Sequence, residues 1–104
     1  MEEKERKIDL ARRLLRNVYD PELGLNIIDL GLVYDLKVDD QNRCRVLMTF
    51  TTLGCPVGGH LVNGVYEALD LLSFDDVKVD VTFDPPWSPD KMTDEAKQQL
   101  GWRG

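Results

Sequence analysis

The chain has 104 residues, 42% hydrophobic and 31% charged, which suits one domain with a small core and leaves no room for two. Asp and Glu number 19 against 13 Lys and Arg, so the net charge is -6, the wrong sign for neutralising nucleic-acid phosphates. No run approaches the ~20 apolar residues that span a bilayer, and the charged N-terminus is unlike a signal peptide. We therefore expect a cytoplasmic protein with no nucleic-acid or membrane partner.

The first half of the chain predicts one helix and two strands. Apolar residues spaced three and four apart from Ile8 to Val18 predict a helix that ends before Asp20-Pro21, and a loop follows over residues 22–26. Alternating apolar residues predict a strand over 31–39 and a return strand over 43–51, joined by a hairpin connection at 39–42. On the return strand one face carries Cys44, Val46, Met48 and Phe50.

The second half predicts a helix, a strand and a short final helix. The helix opens at Cys55-Pro56 and ends near Ser73, and alternating valines then predict a strand over 77–83. Three prolines force residues 84–89 to be extended, and the last helix runs from about Thr93 to Leu100 with Gly101 as its stop. The order α-β-β-α-β-α predicts a single domain over residues 1–104, an α+β two-layer sandwich with helices on one face of a three-stranded mixed sheet.

Cys55 is the first candidate functional residue, because it is predicted to lie between a strand end and a helix start. At the N-cap its sulfur would face the free N–H groups of residues 57–59 and the positive end of the helix dipole, which lower a thiol's pKa. Gly58 and Gly59 have no side chains, so they would leave space above the sulfur. The alternative is a small buried cysteine in a tight turn, and the local sequence leaves both interpretations open.

The other cysteine and the single histidine are predicted to be structural or solvated. Cys44 is in phase with the inward face of its strand, which indicates core packing. No C-x-x-C pair is present, so a four-sulfur site within one chain is excluded, and both cysteines are expected to be reduced. His60 is rotated about 140° from Cys55 on the helix and is predicted to face solvent. The chain has no P-loop and no G-x-G-x-x-G, so no nucleotide is expected.

Two further segments carry candidate binding residues. Asp20 and Glu22 flank Pro21, so their carboxylates could reach the same side of a loop; the alternative is helix termination and solvation. The extended segment 84–89 presents Trp87 at a strand end, where the ring either packs as a lid or forms a binding surface.

Four segments, taken in order, resemble one family. They are Asp20-Pro21-Glu22-Leu23-Gly24 (first motif), Asp29-Leu30-Gly31-Leu32-Val33-Tyr34 (second motif), Met48-Thr49-Phe50-Thr51-Thr52-Leu53-Gly54-Cys55-Pro56 (third motif) and Asp84-Pro85-Pro86-Trp87-Ser88-Pro89 (fourth motif). The chain resembles the SufT-like iron-sulfur cluster assembly family, which includes PaaD-type proteins and the N-terminal domain of Mrp-type carrier ATPases. It lacks the ATPase phosphate-binding loop and a PaaD-type cysteine-rich tail, so the standalone SufT-like type is expected.

The resemblance implies the iron-sulfur cluster assembly domain fold and a role in maturing iron-sulfur proteins. It assigns the family's reactive cysteine to Cys55 and its acidic and aromatic motif positions to Asp20, Glu22 and Trp87. The leading hypothesis is a non-enzymatic factor in which Cys55 transiently binds iron or a cluster. The carboxylate of Asp20 or Glu22, a second chain or a client apoprotein would complete the coordination.

The expected partners are iron-sulfur assembly proteins, client apoproteins and a second copy as a homodimer. The alternatives are an adaptor that docks assembly machinery onto clients through Trp87, a PaaD-like accessory protein of an oxygenase, and a thiol enzyme with Cys55 as nucleophile.

Overall fold

The computed structural model describes residues 3–52, 54 and 58–101. Its helices are α1 (Glu3–Leu15), α2 (Gly58–Asp70) and α3 (Asp94–Leu100), and a 3-10 turn covers Pro89–Lys91. Its strands are β1 (Tyr19–Asp20), β2 (Leu25–Asn26), β3 (Val33–Val38), β4 (Arg43–Met48) and β5 (Asp76–Val81). Cys55, with the N-cap position predicted for it, lies outside the described residues.

The main sheet has the order β3-β4-β5 and is mixed, as predicted. β3 and β4 form an antiparallel hairpin in which Leu36 lies opposite Val46. β4 and β5 are parallel, with Val46 opposite Val79. Parallel neighbours require a crossover, and α2 provides it between β4 and β5. The sequence left the partner of the third predicted strand open, and the structure assigns it to β4.

Helices α1 and α2 cover one face of this sheet. Buried and exposed residues alternate along β3 and β4, with Leu36 and Val46 inside and Lys37 and Arg45 in solvent. α1 contacts β3, α2 contacts β5, and the two helices contact each other, so a single core forms between the layers. Cys44 is 1% exposed within that core, which confirms its predicted packing role. Among the described helices, none combines the length and apolar character needed to cross a membrane.

A second, two-stranded sheet forms from the predicted end of the first helix and from the predicted turn or loop over residues 22–26. β1 and β2 pair antiparallel, with Tyr19 opposite Asn26 and Asp20 opposite Leu25. Two-residue strands are too short to show a period of two, so the hydrophobic pattern could not reveal them.

Element ends differ from the predicted ones by a few residues. α1 begins at Glu3 rather than Ile8 and ends at Leu15, while Val18 is buried beyond the helix. The three main strands are shorter than predicted or shifted by one or two residues. The final helix is confirmed: the Thr93 side chain accepts a hydrogen bond from Ala96 N–H, and Gly101 forms a left-handed C-cap.

Candidate functional site

Asp20 holds the turn of the first motif together. The residue is 1% exposed and lies at the end of β1. Its Oδ1 accepts hydrogen bonds from the backbone N–H of Glu22 at 2.8 Å and of Leu23 at 3.3 Å. One carboxylate oxygen is therefore used to satisfy turn amides that would otherwise lack a partner.

Glu22 has a different environment from Asp20, although one residue separates them. Glu22 is exposed, whereas Asp20 is buried. The structure thus gives the two carboxylates of the predicted metal site distinct surroundings, one inside the turn and one in solvent. Their role as metal ligands stays a prediction.

The first and second motifs are joined by Asn26, a residue that the sequence analysis did not single out. Its Nδ2 donates to Asp29 Oδ2 at 2.9 Å, and its Oδ1 accepts from the Asp29 backbone N–H at 2.9 Å. Asn26 is itself buried, so this reciprocal pair fixes the chain between β2 and the second motif. An Asn three residues before an Asp is common in loops, which is why the pattern gave no specific signal.

The fourth motif and the residues after it dock onto the second motif. Trp87 Nε1–H donates to the Leu30 carbonyl at 2.6 Å. The Tyr34 hydroxyl donates to the Pro85 carbonyl at 2.8 Å. The backbone N–H of Thr93 donates to the Asp29 carbonyl at 2.8 Å. Trp87 is half-buried and packs against the core, so its ring is part of the fold as well as of the surface.

Gly31 permits this docking. Its φ is +76°, and a Cβ placed there would lie 2.2 Å from the Lys91 carbonyl oxygen. The Lys91 backbone therefore rests directly on the glycine. The Nζ atom of the Lys91 side chain lies 5.2 Å from the centroid of the Tyr34 ring.

A surface cleft of about 360 Å³ lies where three of the four motifs approach one another. It is lined by Glu22, Leu23, Thr51, Thr52, Trp87, Pro89, Met92 and Leu100. The walls are mostly aliphatic or aromatic, and the exposed Glu22 supplies a carboxylate among them. The structure thus brings residues of the first, third and fourth motifs together in space, whereas Leu53, Cys55 and Pro56 of the third motif are not described.

Gly58 and Gly59 have different surroundings at the start of α2. Gly58 is buried, and a Cβ there would lie 2.7 Å from Cε2 of Phe50. The ring of Phe50 in turn makes an edge contact with Phe83, at 6.0 Å between centroids. Gly59 is exposed with nothing within 4 Å of the position of a Cβ. The space at Gly58 is thus filled by an aromatic ring; the binding role of both glycines stays a prediction.

The remaining titratable candidates do not form a site of their own. Burial raises the pKa of the Cys44 thiol to about 11, so this sulfur is protonated at neutral pH. His60 is exposed on α2, as predicted. Within residues 3–52, 54 and 58–101, no three His, Cys, Asp or Glu side chains are grouped in a way that could hold a metal ion.

The fold and the cleft define a small α+β domain whose sequence motifs converge on one surface. A model of the family described as "Iron-sulfur cluster assembly protein" matches residues 9–81, and the chain belongs to that family. The resemblance inferred from the four motifs is therefore confirmed.

Relatives and a solved structure agree with this assignment over most of the chain. The Fe-S protein maturation auxiliary factor SufT of Staphylococcus aureus is 44% identical over 85 residues, which are 81% of this chain and 97% of the relative. The Fe-S protein maturation auxiliary factor YitW of Bacillus subtilis is 44% identical over 88 residues, 84% of this chain and 86% of the relative. A domain of unknown function from Bacillus anthracis is 38% identical and superposes with a TM-score of 0.90 over 96% of both chains, which confirms the fold class.

Proposed function

We propose that this protein is an auxiliary factor in iron-sulfur protein maturation, which binds iron or a cluster transiently through Cys55 and assists its transfer to client apoproteins. Family membership and the names of the two maturation factors that share 44% of aligned residues support the role in maturation. Iron or a cluster is the cargo of this process, and the proposal includes no catalytic step or nucleotide.

The environment of Cys44 carries the assignment of the sulfur ligand. The chain contains two cysteines. A metal ligand must be a thiolate that the metal can reach, and Cys44 is 1% exposed with a pKa raised to about 11. That leaves Cys55, which stands in the third motif only three residues beyond Thr52 in the cleft wall.

One sulfur per chain requires further ligands from elsewhere. Glu22 is exposed in the wall of the cleft, so its carboxylate is available to iron, which accepts oxygen ligands. Asp20 has one oxygen engaged by two turn amides, so we assign it to hold the loop and to offer iron at most its second oxygen. A second copy, an assembly protein or a client would provide the remaining ligands.

Anaerobic reconstitution with ferrous iron and sulfide tests the proposal. We expect wild type to bind iron, read by absorbance and by native mass spectrometry, and Cys55→Ser to lose that binding. Cys44→Ala is the matched control, because it removes the buried sulfur and should keep the bound iron. Glu22→Gln should weaken iron binding without removing it, since it deletes one charged oxygen ligand.

Two outcomes would contradict the assignment. If Cys55→Ser bound as much iron as wild type, Cys55 would not be the ligand. If Cys44→Ala lost iron while remaining folded by circular dichroism, the buried cysteine would have to be reachable by metal, against its position in the core.

The apolar lining of the cleft favours one second candidate, an adaptor that docks assembly machinery onto clients. In that case the interface would be the cleft wall formed by Leu23, Trp87 and Leu100, and Cys55 would be dispensable. In cells lacking the gene, Cys55→Ser would then restore the activity of iron-sulfur enzymes, and Leu100→Glu would not. The reverse pattern supports the iron-binding role.

A further inference from the structure

β5 is an edge strand, and the main-chain groups on its outer side point away from the sheet. The backbone N–H of Thr82, just beyond the strand, donates inward to the Met48 carbonyl at 2.9 Å. The N–H of Val79, three residues earlier, donates outward to the Tyr66 hydroxyl at 3.1 Å. Along a strand, the main-chain N–H and C=O groups of successive residues point alternately to one side and to the other. The groups of Val77, Val79 and Val81 therefore lie at the outer edge of the sheet.

The open face of the sheet carries its charges in rows of like sign. Lys37, Arg45 and Lys78 are direct neighbours across the three strands. In the adjacent row, Asp35 and Asp80 lie on either side of Leu47.

The cationic row is only partly neutralised within the chain. Lys37 forms an ion pair with Asp35 at 3.4 Å, and among the residues that the structure describes neither Arg45 nor Lys78 has an acidic partner. Like charges placed directly opposite each other destabilise a sheet. The cationic row therefore costs stability in a single copy of the chain.

We propose that the outer edge of β5 pairs antiparallel with β5 of a second copy, with Val79 on the two-fold axis. In this register Lys78 lies opposite Asp80 of the second copy, and Asp80 opposite its Lys78. Across the interface, the row Lys37, Arg45 and Lys78 of one copy is then followed directly by the row Asp80, Leu47 and Asp35 of the second copy. The two-fold axis thus places a carboxylate of the second copy beside Lys78, at the end of the cationic row.

The same register also matches the apolar residues of the strand. Val79 pairs with itself across the axis, and Val77 lies opposite Val81. Val81 is 40% exposed, and Val77 and Val79 are half-buried, so each valine has surface that a second strand can cover. Their outward main-chain groups would exchange hydrogen bonds along the paired edge.

Tyr66 stands in the way of this pairing and therefore sets how easily it forms. Its hydroxyl occupies the Val79 N–H at the centre of the proposed interface. The phenol must move aside before the second strand can pair, so removing the hydroxyl should favour association. Since one strand from each copy forms the contact, the interface lies at the small end for specific complexes, and we expect a dimer that dissociates at micromolar concentration.

Analytical ultracentrifugation of the metal-free, reduced full-length protein over a range of concentrations tests the proposal. Lys78→Asp and Asp80→Lys each place like charges opposite one another twice in the dimer, and each should weaken association about 10- to 30-fold. The double variant exchanges the two charges and should restore association. We expect its dissociation constant to lie within about 3-fold of wild type, a difference no larger than the contribution of one cross-strand pair. Tyr66→Phe should associate more tightly than wild type. Lys37→Asp, on the far strand, is the control for the change in net charge and should leave association unchanged.

The proposal is overturned if wild type and Tyr66→Phe are both monomeric at every concentration, if either single charge variant associates as wild type does, or if the double variant fails to recover. All the substituted charges are exposed, and circular dichroism verifies that each variant is folded. The outcome is separate from the proposed iron binding, because Cys55→Ser should dimerise like wild type in this assay; a dimer lost in that variant would also overturn the proposal.

Discussion

Replacing Gly31 with alanine tests how the fourth motif is held in place. The residue has a φ of +76°, and its Cβ would lie 2.2 Å from the Lys91 carbonyl oxygen and 2.7 Å from the carbonyl carbon. Both atoms belong to the backbone of the 3-10 turn Pro89–Lys91, so a side-chain rotation cannot relieve the overlap. Either Gly31 or the whole turn must move.

The expected loss of free energy of unfolding in Gly31→Ala has two parts. The left-handed conformation costs about 1–2 kcal/mol for a residue with a Cβ. Displacing the turn strains the hydrogen bonds on either side of it, from Trp87 to Leu30 and from Thr93 to Asp29, each of which contributes about 0.5–1.5 kcal/mol. We therefore expect Gly31→Ala to lower the free energy of unfolding by about 2–5 kcal/mol, a large part of the ~5–15 kcal/mol typical of a domain.

Urea unfolding followed by circular dichroism measures this cost, and Gly24→Ala is the matched control. Gly24 has a nearly identical φ of +70° but nothing within 4 Å of the position of its Cβ, so only the backbone part should be lost, about 1–2 kcal/mol. Equal destabilisation by the two substitutions would refute the argument, because the contact with Lys91 would then contribute nothing.

Two further expectations concern Trp87 and Cys44. Trp87→Phe keeps a ring but leaves the Leu30 carbonyl without its donor, so unfolding in urea should become easier by about 1–2 kcal/mol; an unchanged midpoint would show that the bond is not needed. In native alkylation at neutral pH, Cys44→Ala should label like wild type and Cys55→Ser should not label, since Cys44 is buried with a raised pKa; fast labelling of Cys55→Ser would contradict this. The folded pKa of about 11 exceeds the thiol's ordinary pKa of 9.0, so Cys44 favours folding below pH 9, and this contribution is lost as pH rises from 9 towards 11. Stability of wild type should thus fall more than that of Cys44→Ala across this window, and parallel curves would contradict the shift.

Much of the architecture could be predicted because local patterns encode it. The period of two placed Cys44 on the inward face of its strand, and the Thr93 cap and Gly101 stop marked the last helix, as the structure confirms. These features depend on side chains close together in the chain, so a single sequence contains the information. Four motifs in fixed order likewise sufficed for the family.

The contacts that build the candidate site join residues far apart in the chain, and no local pattern encodes them. Lys91 rests on Gly31, Trp87 bonds to Leu30, and a ring fills the space at Gly58, which sequence reasoning had treated as open. Each glycine looked like any other in the sequence, because only the approach of a distant backbone or ring shows why a Cβ is excluded.

The charged residues of β5 likewise combine a feature that the local sequence predicts with one that depends on tertiary structure. Alternation with the valines of this strand is enough to place Lys78 and Asp80 on the same face. Which residues stand beside them depends on the register with β4, where Arg45 aligns with Lys78 and Leu47 with Asp80. In that register Val46 and Val79 both pack on the inner face, a requirement that exists only once the helices and strands have come together.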